Sequence, residues 1–449
     1  MKPRQQLAGL LAETMLAGHL EEAGLVDRAA AILERRPRWL RPMVRRLLAH
    51  FGPGRRPRRF RLERFIAADQ GFAGDVLKFK SCCHPNRDVR PQMVPALGPP
   101  CSWPLPPLCT PGELARWLNL DLNELFWFAD LRTLEGQLPP GPLRHYHYRW
   151  LAKRDGSARL IESPKQRLKA IQRHLLTRIL DQIPPHEAAH GFRVGHSVGS
   201  FVAPHVHQAM VLRLDLQDFF PTITRARILA IFLTAGYPEP VAALLAGLCT
   251  NTSPRTVLAG FSSSPTAAVG RSLELIYRRP HLPQGAPTSP ALANLAAYRL
   301  DCRLAGYARA AGACYTRYAD DLVFSGGPEF ARGVERFYIR VAAIVLEEGF
   351  AVHTRKTRIM PPSVSQRAAG IVLNAHPNLP RPAFDELKAT LHNCVRHGPA
   401  GQNRAGLPDF HAHLAGRIAH WESINPARGQ KLRREFDRIV WPADPAGGS

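Results

Sequence analysis

Apolar positions along the chain change period from region to region. In the first 70 residues Leu7, Leu10, Leu11, Met15 and Leu16 recur at helical spacing, and Leu40, Val44, Leu47 and Leu48 do so again, so this stretch is predicted to be helical. The period is then lost among Pro85, Pro91, Pro95, Pro99, Pro100, Pro104, Pro106 and Pro107. Proline fixes φ and removes an amide donor, so residues 85–109 read as a connector. Helical order resumes at Thr110-Pro-Gly-Glu113, where Thr110 can cap, Pro111 suits the first helical position and Glu113 completes a capping box. That helix should bury Leu114, Trp117 and Leu118, and a second should run through Leu122, Leu125, Phe126 and Phe128. Gly136 to Pro142 breaks the pattern again. From His145 to about residue 375 strand-like and helix-like segments alternate, and residues 381–440 are mostly helical. No internal repeat stands out.

A period of two is clearest in two places. Leu212, Leu214 and Leu216 alternate with Val211, Arg213 and Asp215, so the leucines should bury while Arg213 and Asp215 share the opposite face, toward a cleft. Downstream, Cys314 to Ser325 reads as a β-hairpin with Asp320 and Asp321 near its tip. Adjacent ionised carboxylates repel, and nothing in a fold requires them at a tight turn. A divalent cation makes such a pair favourable, because hard cations take oxygen ligands. If Asp215 joins them from a neighbouring strand, three carboxylates suit two Mg²⁺ ions about 3.5–4 Å apart, one activating a hydroxyl and one bracing a triphosphate. Mn²⁺ is the alternative ion.

Charge narrows the partners. Lys and Arg total 60 against 36 Asp and Glu, a formal +24, which favours a polyanion. A membrane surface is the rival, but no unbroken apolar run of about 18 residues offers a transmembrane helix. The start, Met-Lys-Pro-Arg-Gln-Gln, has no clean apolar core for a signal peptide. The eight scattered cysteines suit a reduced cytoplasm. Cys82, Cys83, His84, Cys101 and Cys109 fit no regular zinc spacing and read as unligated thiols. In the N-terminal region Arg35, Arg36, Arg38, Arg41, Arg45, Arg46, Arg55, Arg56, Arg58 and Arg59 crowd the polar positions. A solvated helix face and a surface for nucleic acid or an acidic partner both account for them.

These segments carry a family resemblance. Tyr318-Ala-Asp-Asp321 resembles the catalytic hairpin of reverse transcriptases of the bacterial retron type, and Leu214 to Ile223 resembles their first metal motif. Leu282-Pro-Gln-Gly-Ala-Pro-Thr-Ser-Pro290 with Asn294 resembles their template and nucleotide-pocket motif. Arg159 to Pro164 and Leu168 to Arg173 resemble the fingers motifs, and Ala189-His-Gly-Phe192 to Ser197 the segment before the first metal motif. Thr354 to Thr357, Gln366 to Asn374 and Leu414 to Trp421 resemble the motif after the hairpin, the primer grip and the end of the thumb. The ordered match spans roughly 110–440.

The resemblance implies an α/β (α+β) right-hand polymerase fold. It divides the chain into a basic helical N-terminal extension (1–72), a proline-rich connector (73–109), fingers and palm (110–375) and a helical thumb with a short tail (376–449). It implies an RNA-directed DNA polymerase that copies part of a dedicated structured non-coding RNA into a small RNA-linked DNA, in phage defence. Asp215, Asp320 and Asp321 would bind the metals, with Leu216 lending a backbone carbonyl. Lys153 and Arg159 would grip the triphosphate, Phe220 would exclude a 2′-hydroxyl, and Gln284 and Gly285 would lie against the incoming deoxynucleotide. Lys356 would protonate the leaving pyrophosphate, and Arg381, Lys388 and Arg417 would track a duplex backbone. Partners would be the RNA template, the RNA/DNA product, deoxynucleoside triphosphates and an effector protein, with no membrane. The rival implications are untemplated DNA synthesis by another bacterial reverse transcriptase group, or a non-catalytic splicing helper.

Two departures bear on the branch. The usual Asn-Ala-x-x-His segment is Phe201-Val-Ala-Pro-His205 here, and Val-Thr-Gly near the primer grip is Ala368-Ala369-Gly370. Gln284-Gly285 differs from the Ser-Gln of diversity-generating elements. No RNase H or endonuclease domain is expected after the thumb.

Overall fold

The structure is a computed structural model that describes residues 3–52, 56–75, 92–94, 103–152, 158–259 and 274–441. Lys153, Arg55 and the thiols Cys82, Cys83 and Cys101, with His84, lie outside the described residues. The chain forms two compact units, Met1–Pro184 with Phe220–Ala296, and Pro185–Phe219 with Ala297–Ser449.

The first unit opens with α1 (Pro3–Met15), α2 (Glu22–Leu33), α3 (Leu40–Phe51), α4 (Arg59–Ala68) and α5 (Gln70–Asp75). Leu7, Leu11, Met15, Leu40, Val44 and Leu47 are buried together, joined by Leu25, Met43, Leu62, Ile66 and Phe72. The helical period thus converts directly into one apolar core. The arginines of α3 remain outside and are met by acids. Glu22 accepts from both Arg41 (2.7 Å) and Arg45 (3.1 Å), and Asp69 pairs with Arg46 at 2.5 Å.

Next come α6 (Pro111–Trp117) and α7 (Leu122–Ala129), each begun by a reciprocal capping box, Thr110 with Glu113 and Asp121 with Glu124. Strands β1 (Tyr146–Ala152) and β2 (Ala158–Pro164) pair antiparallel, and α8 (Gln166–Arg178) follows.

The second unit begins with α9 (Val198–Val202), capped by Ser197, and β3 (Met210–Asp215). After α10 (Phe219–Thr222), the first unit resumes with α11 (Arg225–Thr234), α12 (Glu239–Leu248), α13 (Arg255–Ala259) and α14 (Ser289–Ala296). The rest belongs to the second unit: α15 (Tyr298–Ala310), β4 (Ala313–Tyr318), β5 (Asp321–Gly326), α16 (Pro328–Glu347) and β6 (Arg358–Met360), then β7 (Arg367–Ala368) and β8 (Ile371–Val372). Its sheet has the order β4-β5-β3-β6, all antiparallel. Leu212 and Leu214 are fully buried, as the alternation predicts, and so are Leu322, Val323 and Phe324 opposite them.

The chain closes with α17 (Arg381–His397), α18 (Phe410–Ile424) and α19 (Pro426–Phe436), packed through Leu387, Leu391, Leu414, Ile418, Trp421, Leu432 and Phe436. Among the described residues no helix is long and apolar enough to cross a membrane.

Candidate active site

The hairpin between β4 and β5 turns in two residues, Ala319 and Asp320. Ala319 takes φ +54°, a left-handed backbone that a side chain other than glycine adopts reluctantly. The surroundings hold it there. Leu216 donates its amide to the Asp320 carbonyl at 2.9 Å, and Arg317 donates to the Ala319 carbonyl at 3.1 Å. On the flank, the Gly191 backbone lies so close that an added Cβ would stand 2.8 Å from the Ala319 nitrogen.

Behind the hairpin, Arg317 is fully buried and forks onto Asp301 of α15, with bonds of 2.8 and 2.6 Å. Burial alone would lower the guanidinium's pKa, but Asp301 overrides it and holds the group above its usual value. Tyr315 donates to the same Asp301 at 2.8 Å. His205, the one member of its motif that survives, is buried against both strands of the hairpin. Its ring nitrogens meet Ser325 Oγ at 2.6 Å and Thr316 Oγ1 at 2.7 Å. Burial, and then the charge of His190, push its pKa down to about 3, so it is a neutral brace.

Asp215 ends β3 directly opposite Asp321, the first residue of β5. The antiparallel register thus brings a carboxylate from each strand to one end of the sheet, with Asp320 next to Asp321 at the hairpin tip. Arg213 shares the face of Asp215 and reaches diagonally to Asp321, donating Nε and Nη2 to Oδ1 at 2.9 and 2.8 Å and Nη2 to Oδ2 at 2.9 Å. Lys356, in a tight turn after α16, donates Nζ to Asp215 Oδ1 at 3.0 Å. Burial raises the Asp321 carboxyl to about 6; Arg213 opposes this, and the charges of Asp320 and Asp215 add to it.

The donor set tests whether a metal belongs here. Among the described residues no three His, Cys, Asp or Glu side chains stand as a formed metal cage. Two of the carboxylates are instead turned onto the cations Arg213 and Lys356. The chemistry of the set nevertheless fits a hard divalent ion: the donors are oxygens, they share one end of a sheet, and burial, with a smaller addition from the charges of Asp320 and Asp215, raises the Asp321 carboxyl. Leu216 is buried, its amide is engaged with the Asp320 carbonyl, and it forms an antiparallel bridge with Val352.

The remaining candidates lie on other elements of the chain. Phe219 is the buried ring and Phe220 the half-buried one. Phe220, Arg159, Gln284 and Gly285 belong to the first unit. Arg159 sits on β2 opposite Leu151. Gly285 is exposed and takes φ +131°, a backbone open to glycine, and a Cβ there would meet the Glu162 carbonyl at 3.0 Å. On the last helices Lys388 is exposed, Arg381 lies 3.5 Å from Asp385, and Arg417 meets Glu386 at 3.2 Å. Sequence reading assigned no task to Arg213, Arg317, Asp301 or Gly191. Only Arg213 left a signal, two residues before Asp215 on the same strand face.

Comparison with known proteins agrees with this geometry. Residues 151–371 match the family model described as "Reverse transcriptase (RNA-dependent DNA polymerase)". The retron Mx65 reverse transcriptase of Myxococcus xanthus is 37% identical over 353 residues, covering 78% of this chain and 76% of the relative. The retron Mx162 reverse transcriptase of the same organism is 35% identical over 350 residues, covering 74% and 67%. The retron Ec86 reverse transcriptase of Escherichia coli is 30% identical over 236 residues, covering 52% and 65%.

Proposed function

The chain belongs to the retron-type reverse transcriptases and is an RNA-directed DNA polymerase, and from that premise we propose that it copies part of a structured non-coding RNA into a short DNA that stays joined to the RNA. The observation that supports catalysis most is the meeting of Asp215 and Asp321 at one end of the sheet, with Asp320 beside them. An RNA-binding helper without chemistry would have no need of three carboxylates in mutual repulsion.

In the proposed reaction Asp215, Asp320 and Asp321 hold two Mg²⁺ ions, with the Leu216 carbonyl as a further donor. When bound, the ions would activate the primer hydroxyl as nucleophile and neutralise charge on the triphosphate, whose pyrophosphate leaves. Arg213 and Lys356 balance the charge of Asp321 and Asp215 through the hydrogen bonds they donate to them. Lys356 then turns from Asp215 to give its proton to the pyrophosphate oxygen, where a general acid contributes about 10²–10⁴-fold. Arg159 and Lys153 hold the triphosphate. Gln284 and Gly285 recognise the deoxynucleotide, and Phe220 refuses a ribose hydroxyl. Arg381, Lys388 and Arg417 contact phosphates of the template duplex. The proposed setting is the cytoplasm, in phage defence with an effector protein.

The test is to express the protein with its native flanking DNA, purify it, and sequence the bound nucleic acid before and after RNase and DNase. A discrete short DNA joined to one small RNA, and absent with Asp320→Ala, is the expected result. DNA of mixed sequence without attached RNA would refute the dedicated template, and RNA with no DNA would refute catalysis.

A further inference from the structure

A buried polar cluster in the first unit grips the loop that carries Gln284 and Gly285. Glu162 on β2 is fully buried, and each of its oxygens is engaged. Oε2 meets His281 Nε2 at 2.8 Å, while Oε1 accepts from Asn251 Nδ2 at 2.8 Å and Ser253 Oγ at 2.7 Å. His281 is also fully buried, and its Nδ1 lies 2.7 Å from the Arg279 carbonyl. Both ring nitrogens therefore face oxygens that only accept, which selects the imidazolium. Around this pair, Asn251 donates to Tyr148 Oη at 3.0 Å, and Tyr148 donates to Glu135 at 2.8 Å.

The backbone shows what the cluster holds. His281 and Asn251 exchange amide bonds of 2.9 Å in both directions, and Leu282 donates to the Ile223 carbonyl at 2.9 Å. Glu162 then donates its own amide to the Gln284 carbonyl at 2.9 Å. At the next residue a Cβ on Gly285 would stand 3.0 Å from the Glu162 carbonyl. Glu162 thus contacts the loop at His281 through its side chain and at Gln284 through its backbone. An apolar pair could fill the same space, but it would not fix direction. A fully buried ion pair tolerates one arrangement, since separating the partners leaves a charge without compensation.

We propose that Glu162 and His281 form a clasp that positions the Pro283–Gln284–Gly285 loop for the base and triphosphate of an incoming deoxynucleotide. They are positioning residues and touch no substrate. The proposal rests on the reading of Gln284 and Gly285 as the nucleotide pocket.

The test is single-nucleotide addition by full-length Glu162→Gln, His281→Gln and the double variant on an RNA template, with Gln284→Ala in parallel. Each single variant should raise KM for the deoxynucleotide about tenfold, the scale of one lost charged hydrogen bond. kcat should stay within about threefold, with template–primer Kd unchanged. The double variant should be no worse than the worse single, because the pair acts as one unit. Folded single variants with unchanged KM, or with kcat alone reduced, would overturn the clasp. If Gln284→Ala leaves KM unchanged while Glu162→Gln raises it, the role of Gln284 falls and the clasp stands through the rest of the loop. Should Glu162→Gln fail to fold, Ser253→Ala removes one bond to Glu162 and should raise KM about threefold; no change there would also overturn the proposal.

Discussion

Replacing Gly191 by alanine probes how finely the catalytic hairpin is placed. The new Cβ would stand 2.8 Å from the Ala319 nitrogen and 3.3 Å from the Tyr318 carbonyl carbon. Ordinary contact begins at 3.4 Å, so the hairpin backbone must retreat by 3.4 − 2.8, or about 0.6 Å. Neither side yields easily. The Gly191 segment is tied to β4 by His190 N to Arg317 O (2.8 Å) and Arg317 N to Ala188 O (2.7 Å). The hairpin tip is tied to Leu216 and Arg317. Misplacement by one ångström costs a reaction about 10²-fold, so a shift of this size should slow nucleotide addition roughly 10–50-fold. Stability should fall by about 1–3 kcal/mol from overpacking. The assay is a single-turnover rate at saturating deoxynucleotide and Mg²⁺, beside template–primer Kd and a denaturant melt. Gly333→Ala on α16 is the control, because an added Cβ there meets nothing within 4 Å. A Gly191→Ala protein that is folded, destabilised and still within threefold of the normal rate would show that the hairpin tolerates displacement, and the reasoning would fail.

Four further outcomes are expected. Lys356→Ala should lower kcat by about 10² with little change in deoxynucleotide KM; a rate within threefold of normal would remove Lys356 from the chemistry. Phe220→Val should raise ribonucleotide use relative to deoxynucleotide about tenfold, measured as a ratio of kcat/KM; an unchanged ratio would return Phe220 to a packing role. Trp421→Ala should cost about 3–5 kcal/mol of unfolding free energy, read from the shift in denaturant midpoint, because the ring is 3% exposed between the last three helices. The Glu162–His281 pair should leave a mark on stability against pH. Burial alone would raise the Glu162 carboxyl, but His281, Ser253 and Asn251 hold it below the usual 4.5, so its contribution is present above that value and lost as pH falls below it. Burial alone would lower His281, but Glu162 holds it above the usual 6.5, so its contribution is complete below 6.5 and lost as pH rises through the higher folded value. Melts from pH 5 to 9 should show an alkaline decline that His281→Gln abolishes; parallel declines would rule the pair out as its source.

The site could be read from the sequence where local period determines placement. Leu212 and Leu214 bury, so Asp215 and Arg213 must share the other face, and a two-residue turn must put Asp320 and Asp321 together. The capping box at Thr110 and Glu113 is equally local, and both of its bonds form. What escaped was tertiary. Asp301 and Arg317 are separated by 16 residues and a change from helix to strand, and no spacing rule joins them. Glu162 and His281 lie 119 residues apart. Gly191 is informative only once the hairpin beside it is known. The arginines of the N-terminal helices show the reverse case. Their density suggests a binding face, yet Arg41, Arg45 and Arg46 are each met by an acid, which favours the solvated reading.

The brace behind the hairpin also bears on what the catalytic turn depends on. Arg317 follows α15 in the chain and lies wholly inside the protein, where its charge is compensated by Asp301. Without Asp301 of α15 opposite it, the guanidinium that donates to the Ala319 carbonyl would carry an uncompensated buried charge. The turn that carries Asp320 therefore depends on a helix that precedes it in the chain: removing the Asp301 carboxylate would strand a buried charge directly behind the catalytic hairpin.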